Sequence, residues 1–276
     1  MTTIEAIVLG IIQGLSEFLP VSSSGHLVLF QHLFGLKEPE LLFDICLHVG
    51  TLMAVLIVFY KEILEILTAL LQIPSRMKQA GGLLRLFQVD PAIRMALLIV
   101  VGSIPTALIG LVFKEMTDKL FGSILLVGCM LLVTGSLLWF TRNISGRGRQ
   151  VEKTWMKDAL IIGVVQGLAI LPGISRSGST ISTALFLGVD RKMAGRYSFL
   201  LSIPAIVGAL VLGLDTPELH TTIPLMTILL GSIASALTGW LALVILLKVV
   251  DRGQLHRFAP YCWVVGLLTL AFAFLG

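Results

Sequence analysis

Six apolar runs, at roughly 43 to 59, 92 to 113, 121 to 140, 195 to 213, 223 to 247 and 257 to 275, set what this chain can become. Each is about as long as a helix crossing the hydrocarbon of a bilayer needs to be, ~17 to 25 residues. With 56% hydrophobic and only 13% charged residues and a mean hydropathy of +0.97, the chain cannot furnish a soluble surface. The expectation is an all-α polytopic membrane protein with one integral domain over 1–276. Glu5, rather than Lys or Arg, precedes the first apolar stretch, so no cleavable leader is expected. Cys46, Cys129 and Cys262 sit singly in apolar segments without C-x-x-C spacing and read as small core hydrophobes.

Charge placement orients the runs, because short basic loops stay cytoplasmic. Three linkers are basic: 60 to 91 (Lys61, Arg76, Lys78, Arg85), 141 to 157 (Arg142, Arg147, Arg149, Lys153, Lys157) and 248 to 257 (Lys248, Arg252, Arg257). The 114 to 120 turn balances Lys114 and Lys119 against Glu115 and Asp118, and 214 to 222 carries Asp215 and Glu218 without a cation, so both should face outside. Threading the spans through these assignments makes residues 1 to 42 begin and end outside and 158 to 194 begin and end inside. Both segments are then re-entrant hairpins, each followed by three spans. Two halves, 1–140 and 158–276, form an inverted-topology repeat joined by the basic cytoplasmic loop 141–157. The alternative is that Pro20 and Pro172 merely kink two additional spanning helices.

The two hairpin segments carry nearly the same text. Gly10-Ile-Ile-Gln-Gly-Leu-Ser-Glu-Phe-Leu-Pro-Val-Ser-Ser-Ser-Gly-His26 and Gly163-Val-Val-Gln-Gly-Leu-Ala-Ile-Leu-Pro-Gly-Ile-Ser-Arg-Ser-Gly-Ser-Thr180 are each an apolar helix bearing a Gln, a break at Pro, and a hydroxyl-rich Gly turn. Such a turn gathers hydroxyls and backbone N–H groups, and the helix behind it points its positive end at the same place, which suits a phosphate. Duplicated broken helices also mark a binding site between the halves of a membrane protein, where irregular backbone survives only if protein or water satisfies it.

Ionisable groups at membrane depth are functional candidates because burying them is costly. Glu17 follows Gln13 by one helical turn, so a carboxylate and an amide oxygen share a face and could hold a hard cation; a purely structural pairing of Glu17 with Arg176 is the alternative. His26, after Ser22-Ser23-Ser24-Gly25, could serve as acid, base or nucleophile, or be an ordinary core histidine. Arg176, flanked by Ser175 and Ser177 with Ser179 and Thr180 beyond, offers a planar bidentate contact to phosphate oxygens. Snorkelling to the surface is the ordinary fate of a membrane Arg and suits Arg94 or Arg196 better.

These residues resemble the undecaprenyl-diphosphatases, the BacA/UppP or bacitracin-resistance family, marked by (E/Q)-x-x-x-E running into P-V-S-S-[ST]-G-H and by P-G-x-S-R-S-x-x-T. Here the motifs read Gln13-Gly-Leu-Ser-Glu17, Pro20-Val-Ser-Ser-Ser-Gly-His26 and Pro172-Gly-Ile-Ser-Arg-Ser-Gly-Ser-Thr180. The resemblance implies hydrolysis of undecaprenyl diphosphate to the monophosphate and phosphate, recycling a cell-wall lipid carrier in the bacterial inner membrane, with a divalent cation (Mg2+ or Ca2+) and a site opening to the outer face. Carried over by position, Glu17, His26, Ser23 and Arg176 become catalytic. Ser22, Ser24, Gly25, Ser175, Ser177 and Thr180 hold the phosphates, and Glu17 with Gln13 takes the metal. Gln13 stands where many members have Glu, which leaves more of the metal to Glu17. Either Ser23 or His26 would attack phosphorus, or His26 would activate water, and His26 is the base expected for Ser23. The partners expected are a polyprenyl diphosphate and the bilayer, with a homodimer left open and no nucleic acid.

A membrane carrier or flippase for a polyprenyl phosphate or other anion is the competing class, since such carriers use the same broken helices; an intramembrane serine protease would leave Arg176 without a role. Asp44 and His48, one turn apart near the outer end of a span, read as structural or water-facing. Gly102, Gly110, Gly128 and Gly135 suit close helix packing.

Overall fold

Thr2 and Glu5 start the first helix as a capping box: the Thr2 hydroxyl accepts the Glu5 N–H and the Glu5 carboxylate accepts that of Thr2. The computed structural model describes residues 1–33, 41–114, 116, 120–144, 148–214 and 223–275. Its α-helices run in order as α1 (Thr3–Phe18), α2 (Ser23–Leu33), α3 (Leu41–Val58), α4 (Tyr60–Leu71), α5 (Ile73–Ala80), α6 (Leu83–Val89), α7 (Pro91–Lys114), α8 (Ile124–Phe140), α9 (Met156–Leu168), α10 (Arg176–Phe186), α11 (Arg191–Leu214), α12 (Leu225–Asp251) and α13 (Ala259–Leu275). Glu115, Asp118 and Lys119 of the first outward turn, Asp215 and Glu218 of the second, and Arg147 of the basic linker lie outside the described residues.

Among the described residues, Pro91–Phe113, Ile124–Asn143, Arg191–Leu212, Leu225–Asp251 and Leu255–Phe274 are long and apolar enough to cross a membrane. Leu42–Val58 with Tyr60–Leu71 makes a sixth span if that pair, bent by 77°, is counted as one. These six fall on the six apolar runs, and the chain is an all-α polytopic membrane protein. The four hairpin helices α1, α2, α9 and α10 are not among the spans. Pro20 and Pro172 lie in turns that end one helix before the next begins, so they are not kinks inside longer spanning helices.

Helix pairing follows the duplication. α1 packs along α12 and α9 packs along α7, while α13 lies against α8 and α3 against α12 and α11. The contacts repeat in register. A Cβ on Gly10 would run into the Gly231 carbonyl and one on Gly14 into Thr238, while a Cβ on Gly163 would run into the Gly102 carbonyl and one on Gly167 into Ile109. α1 therefore lies flush against α12, and α9 against α7. The main core draws on residues from Phe18 to Cys262, with Phe59 stacked on Phe199 and Phe18 edge-on to it among Leu98, Leu138, Ile162, Leu200 and Leu243.

Several expectations change. The 60 to 91 linker is helical rather than a loop: α4 buries Ala69 and turns Leu64, Leu67 and Leu71 outward, giving it an amphipathic face. Arg94 does not snorkel; its guanidinium donates to the carbonyls of Phe87, Val151 and Thr154, fastening the central linker to α7. Cys129 is exposed rather than in the core, and Cys46 is half-buried; only Cys262 is buried. Gly110 meets nothing closer than an ordinary 3.5 Å contact with Ile170, whereas Gly102, Gly128 and Gly135 do sit against neighbouring helices.

Candidate active site

Both hairpin turns are closed by the same device. The Ser22 hydroxyl accepts the Gly25 N–H at 3.3 Å and lies 3.3 Å from the Ser24 hydroxyl; the Ser175 hydroxyl accepts the Gly178 N–H at 3.1 Å and lies 3.2 Å from that of Ser177. Each serine thus caps the second helix of its hairpin. Ser22 holds a left-handed backbone, φ 70°, unusual for a residue with a Cβ. Its hydroxyl also accepts the Gly173 N–H at 3.1 Å, so the first turn is tied to the second.

With Gly10 matched to Gly163, Ser23 corresponds to Arg176, Gln13 to Gln166 and Glu17 to Ile170. The carboxylate occurs only in the first hairpin, and the first residues of α2 and α10 converge on it. Ser23 Oγ donates to Glu17 Oε2 at 2.7 Å, while Arg176 Nη2 donates to Glu17 Oε1. Gln13 Nε2 donates to Oε2 at 3.0 Å. Glu17 and Gln13 are buried, 8% and 0% exposed, at the meeting of the two halves. Two buried polar atoms of the cluster lack a partner: Gln13 Oε1, an acceptor, and Arg176 Nη1, a donor. An orphaned donor of that kind suits an anion, and an orphaned oxygen beside a carboxylate suits a hard cation. Among the described residues, no group of three or more His, Cys, Asp or Glu could hold a metal. Glu17 and Gln13 alone would fit an ion that completes its shell with further donors such as water or a phosphate, as Mg2+ commonly does.

The other hydroxyls of the second motif are committed to the frame. Ser177 Oγ donates to the Phe18 carbonyl at 2.8 Å, joining α10 to the end of α1. Thr180 Oγ1 donates to the Arg176 carbonyl at 2.7 Å and lies 2.5 Å from Ser198 Oγ. Behind the turn, Thr134 Oγ1 donates to the Gly173 carbonyl and accepts the Ser175 N–H. Ser24 is half-buried, and the Gly25 N–H is taken by Ser22.

His26 stands apart from the carboxylate cluster. Its Nδ1 lies 2.8 Å from the Ser22 carbonyl, which can only accept, so Nδ1 carries the proton. Nε2 then accepts from Tyr261 Oη at 2.7 Å, and the two rings stack at 5.7 Å and 8°. Ser23 is therefore hydrogen-bonded to Glu17 and not to His26, the partner expected for it, whose imidazole is buried against Tyr261 of α13. Beside it opens a groove of about 340 Å³ lined by Leu29, Phe30, Tyr261, Val265, Leu268 and Phe272, apolar apart from His26, Tyr261 and Thr269. From the next residue, Cys262 Sγ approaches the Pro20 carbonyl at 3.5 Å.

One residue at the site, Tyr261, escaped sequence reasoning, and a second, His48, was named without being joined to Glu17. Tyr261 belongs to an apolar run in which nothing distinguishes it. His48, read as structural or water-facing, has Nε2 3.8 Å from Glu17 Oε2, with Nδ1 2.8 Å from the Asp44 carbonyl. A histidine in an otherwise apolar run was its only advance signal.

A family model described as bacitracin resistance protein BacA matches residues 6–268. The chain is 55% identical to an undecaprenyl-diphosphatase of Desulfatibacillum aliphaticivorans, over 98% of both chains. It is 49% identical to one of Desulforapulum autotrophicum over 100% of both, and 52% identical to one of Desulfosudis oleivorans over 98% of both.

Proposed function

Because the chain belongs to the BacA family of bacitracin resistance proteins, we infer that it hydrolyses undecaprenyl diphosphate to undecaprenyl phosphate and inorganic phosphate. That activity recycles the lipid carrier of peptidoglycan and other cell-wall polymers and confers resistance to bacitracin. The observation that carries the reading at this site is the convergence of Ser23 and Arg176, the first residues of two helices from opposite halves, on the one carboxylate of Glu17.

In this reading the terminal phosphate meets Arg176 through the guanidinium nitrogen that has no protein partner, a fixed positive charge for the transferring phosphoryl group. Ser23 Oγ, its proton directed to Glu17, attacks the terminal phosphorus. The new O–P bond forms as the bond to the bridging oxygen breaks, and the lipid monophosphate leaves. Water then cleaves the phosphoserine, releasing inorganic phosphate and restoring the hydroxyl. Glu17 and Gln13 are the residues to hold a divalent cation, which when bound would neutralise charge on the diphosphate. Ser22, Ser175, Ser177 and Thr180 brace the turns, leaving Ser24 as the motif hydroxyl with least framing work. The groove beside His26 receives the first part of the isoprenoid tail.

The basic linkers support a bacterial inner-membrane protein whose hairpins enter from opposite faces, the halves 1–140 and 158–276 being inverted repeats and the first hairpin opening outward. The test is phosphate release from undecaprenyl diphosphate by purified protein in detergent, with Mg2+, with Ca2+ and with chelator, beside folded Glu17→Ala, Ser23→Ala and Arg176→Ala. Cation-dependent release abolished in the variants is expected. Binding of the lipid without release under any condition would leave the carrier as the better account.

A further inference from the structure

We infer that His48 is a nitrogen ligand of the divalent cation, so that the centre binds its ion through mixed oxygen and nitrogen donors. The inference rests on the reading of Glu17 and Gln13 as cation-holding residues.

The geometry of the imidazole is that of a metal ligand. Nδ1 faces the Asp44 carbonyl at 2.8 Å and donates to it, which turns Nε2, with its lone pair in the neutral ring, toward the carboxylate. A ligating histidine characteristically donates its other ring N–H to a backbone carbonyl in this way, fixing its tautomer. The lone pair confronts Glu17 Oε2 at 3.8 Å. An ion lying between them would meet an oxygen and a nitrogen donor at once. The separation exceeds a hydrogen bond yet lies within the span of two metal–donor bonds of about 2.1 Å each.

A second observation concerns the amide beside the carboxylate. Gln13 is fully buried and its Oε1 has no partner, while its Nε2 is held on Glu17. The described residues contain no cluster of three His, Cys, Asp or Glu, and the proposed set agrees with that, being one carboxylate, one imidazole and one amide oxygen. Substrate phosphate and water complete the shell. His48 is about a third exposed on its side chain, so these can reach the ion from its side.

An imidazole donor changes which ion is preferred. Oxygen-only sites favour Mg2+ and Ca2+, whereas nitrogen raises affinity along the series beyond Mn2+. The centre should therefore prefer Mn2+ or Co2+ over Ca2+, and His48→Gln, which restores an oxygen-only set, should narrow that preference.

The experiment is Mn2+ titration of the full-length, tag-free protein in detergent, followed by pulsed electron paramagnetic resonance of the bound ion and by competition with Ca2+. The proteins compared are wild type, His48→Gln, His26→Gln and Glu17→Gln, with thermal unfolding in chelator verifying that each is folded. The expected result is nitrogen modulation on bound Mn2+ in wild type and His26→Gln. That signal should disappear in His48→Gln, with Mn2+ affinity at least about tenfold lower and the preference over Ca2+ reduced. Mn2+ bound without nitrogen modulation, or with modulation retained in His48→Gln, would overturn the role of His48 while leaving the cation at Glu17. No Mn2+ binding, or binding unaffected by Glu17→Gln, would overturn the cation itself and the inference with it.

Discussion

The hydroxyl of Ser22 accepts the backbone N–H of Gly173, 151 residues further along the chain. One short side chain thus caps its own helix and ties the two hairpin turns together. Ser22→Ala removes both bonds and retains the left-handed strain, so it should cost about 2 kcal/mol. Ser22→Gly loses the same bonds but relieves the backbone by about 1 kcal/mol. Thermal unfolding in detergent should rank wild type above Ser22→Gly and Ser22→Gly above Ser22→Ala; the reverse order for the two variants would show that φ at this position is unstrained.

Arg176 and Glu17 form an ion pair that is mostly hidden from water. Glu17→Gln leaves the guanidinium buried opposite a neutral group and should destabilise by about 3 to 5 kcal/mol. Adding Arg176→Met should return most of that stability while phosphate release stays at background. Thermal unfolding and turnover measured side by side separate the two effects, and a double variant as unstable as the single one would contradict the pairing.

Gly10→Ala and Gly163→Ala each push a methyl group into a carbonyl of the facing helix, at Gly231 and Gly102. Backbone cannot swing aside as a side chain can, so each should cost about 1 to 3 kcal/mol, or more where the helices cannot separate. Gly110→Ala, with only an ordinary contact to Ile170, should be neutral or slightly stabilising because alanine is the better helix former. Equal losses at all three positions would remove the distinction between flush and open helix faces.

Asp90 lies ahead of α7, outside the spans. Burial opposes its charge, but the Arg76 guanidinium at 2.6 Å and the N–H groups of Ile93 and Ala92 outweigh this and hold its carboxyl below the ordinary carboxylate range. A lowered folded-state value stabilises the fold above the unfolded pKa, and the contribution is lost as pH falls through the folded value. Protection from hydrogen exchange at the start of α7, taken relative to the intrinsic rate at each pH, should therefore fall below about pH 4, and Arg76→Gln should flatten that acid sensitivity. An unchanged profile in Arg76→Gln would assign the shift to the helix N-terminus alone.

The spans and broken helices were legible because hydropathy and proline act locally, and Glu17 with Arg176 stood out because a charge in an apolar stretch has few benign explanations. His48 was not legible: what makes it part of the site is the crossing of α3 over α1, which no spacing within 41–58 encodes. The serine-rich motifs pointed correctly to the turns but not to which hydroxyl is spent on the frame. Ser177 and Thr180 are committed by Phe18, Ser198 and the Arg176 carbonyl, partners contributed wholly or partly by other helices. The 60 to 91 segment looked like a linker because its cations interrupt the apolar pattern, yet its leucines recur with helical spacing on the face of α4.

The pairing of α1 with α12 also dictates the order in which the molecule can be made. A ribosome finishes the helix bearing Glu17 long before it has synthesised Leu225–Asp251, the span that helix lies against. Until then Gly10 and Gly14 face lipid or a temporary neighbour, and the carboxylate waits without its final walls. The cluster around Glu17 is therefore among the last features of the nascent chain to close, and a truncated product ending before α12 would insert several spans without the helix that α1 packs along.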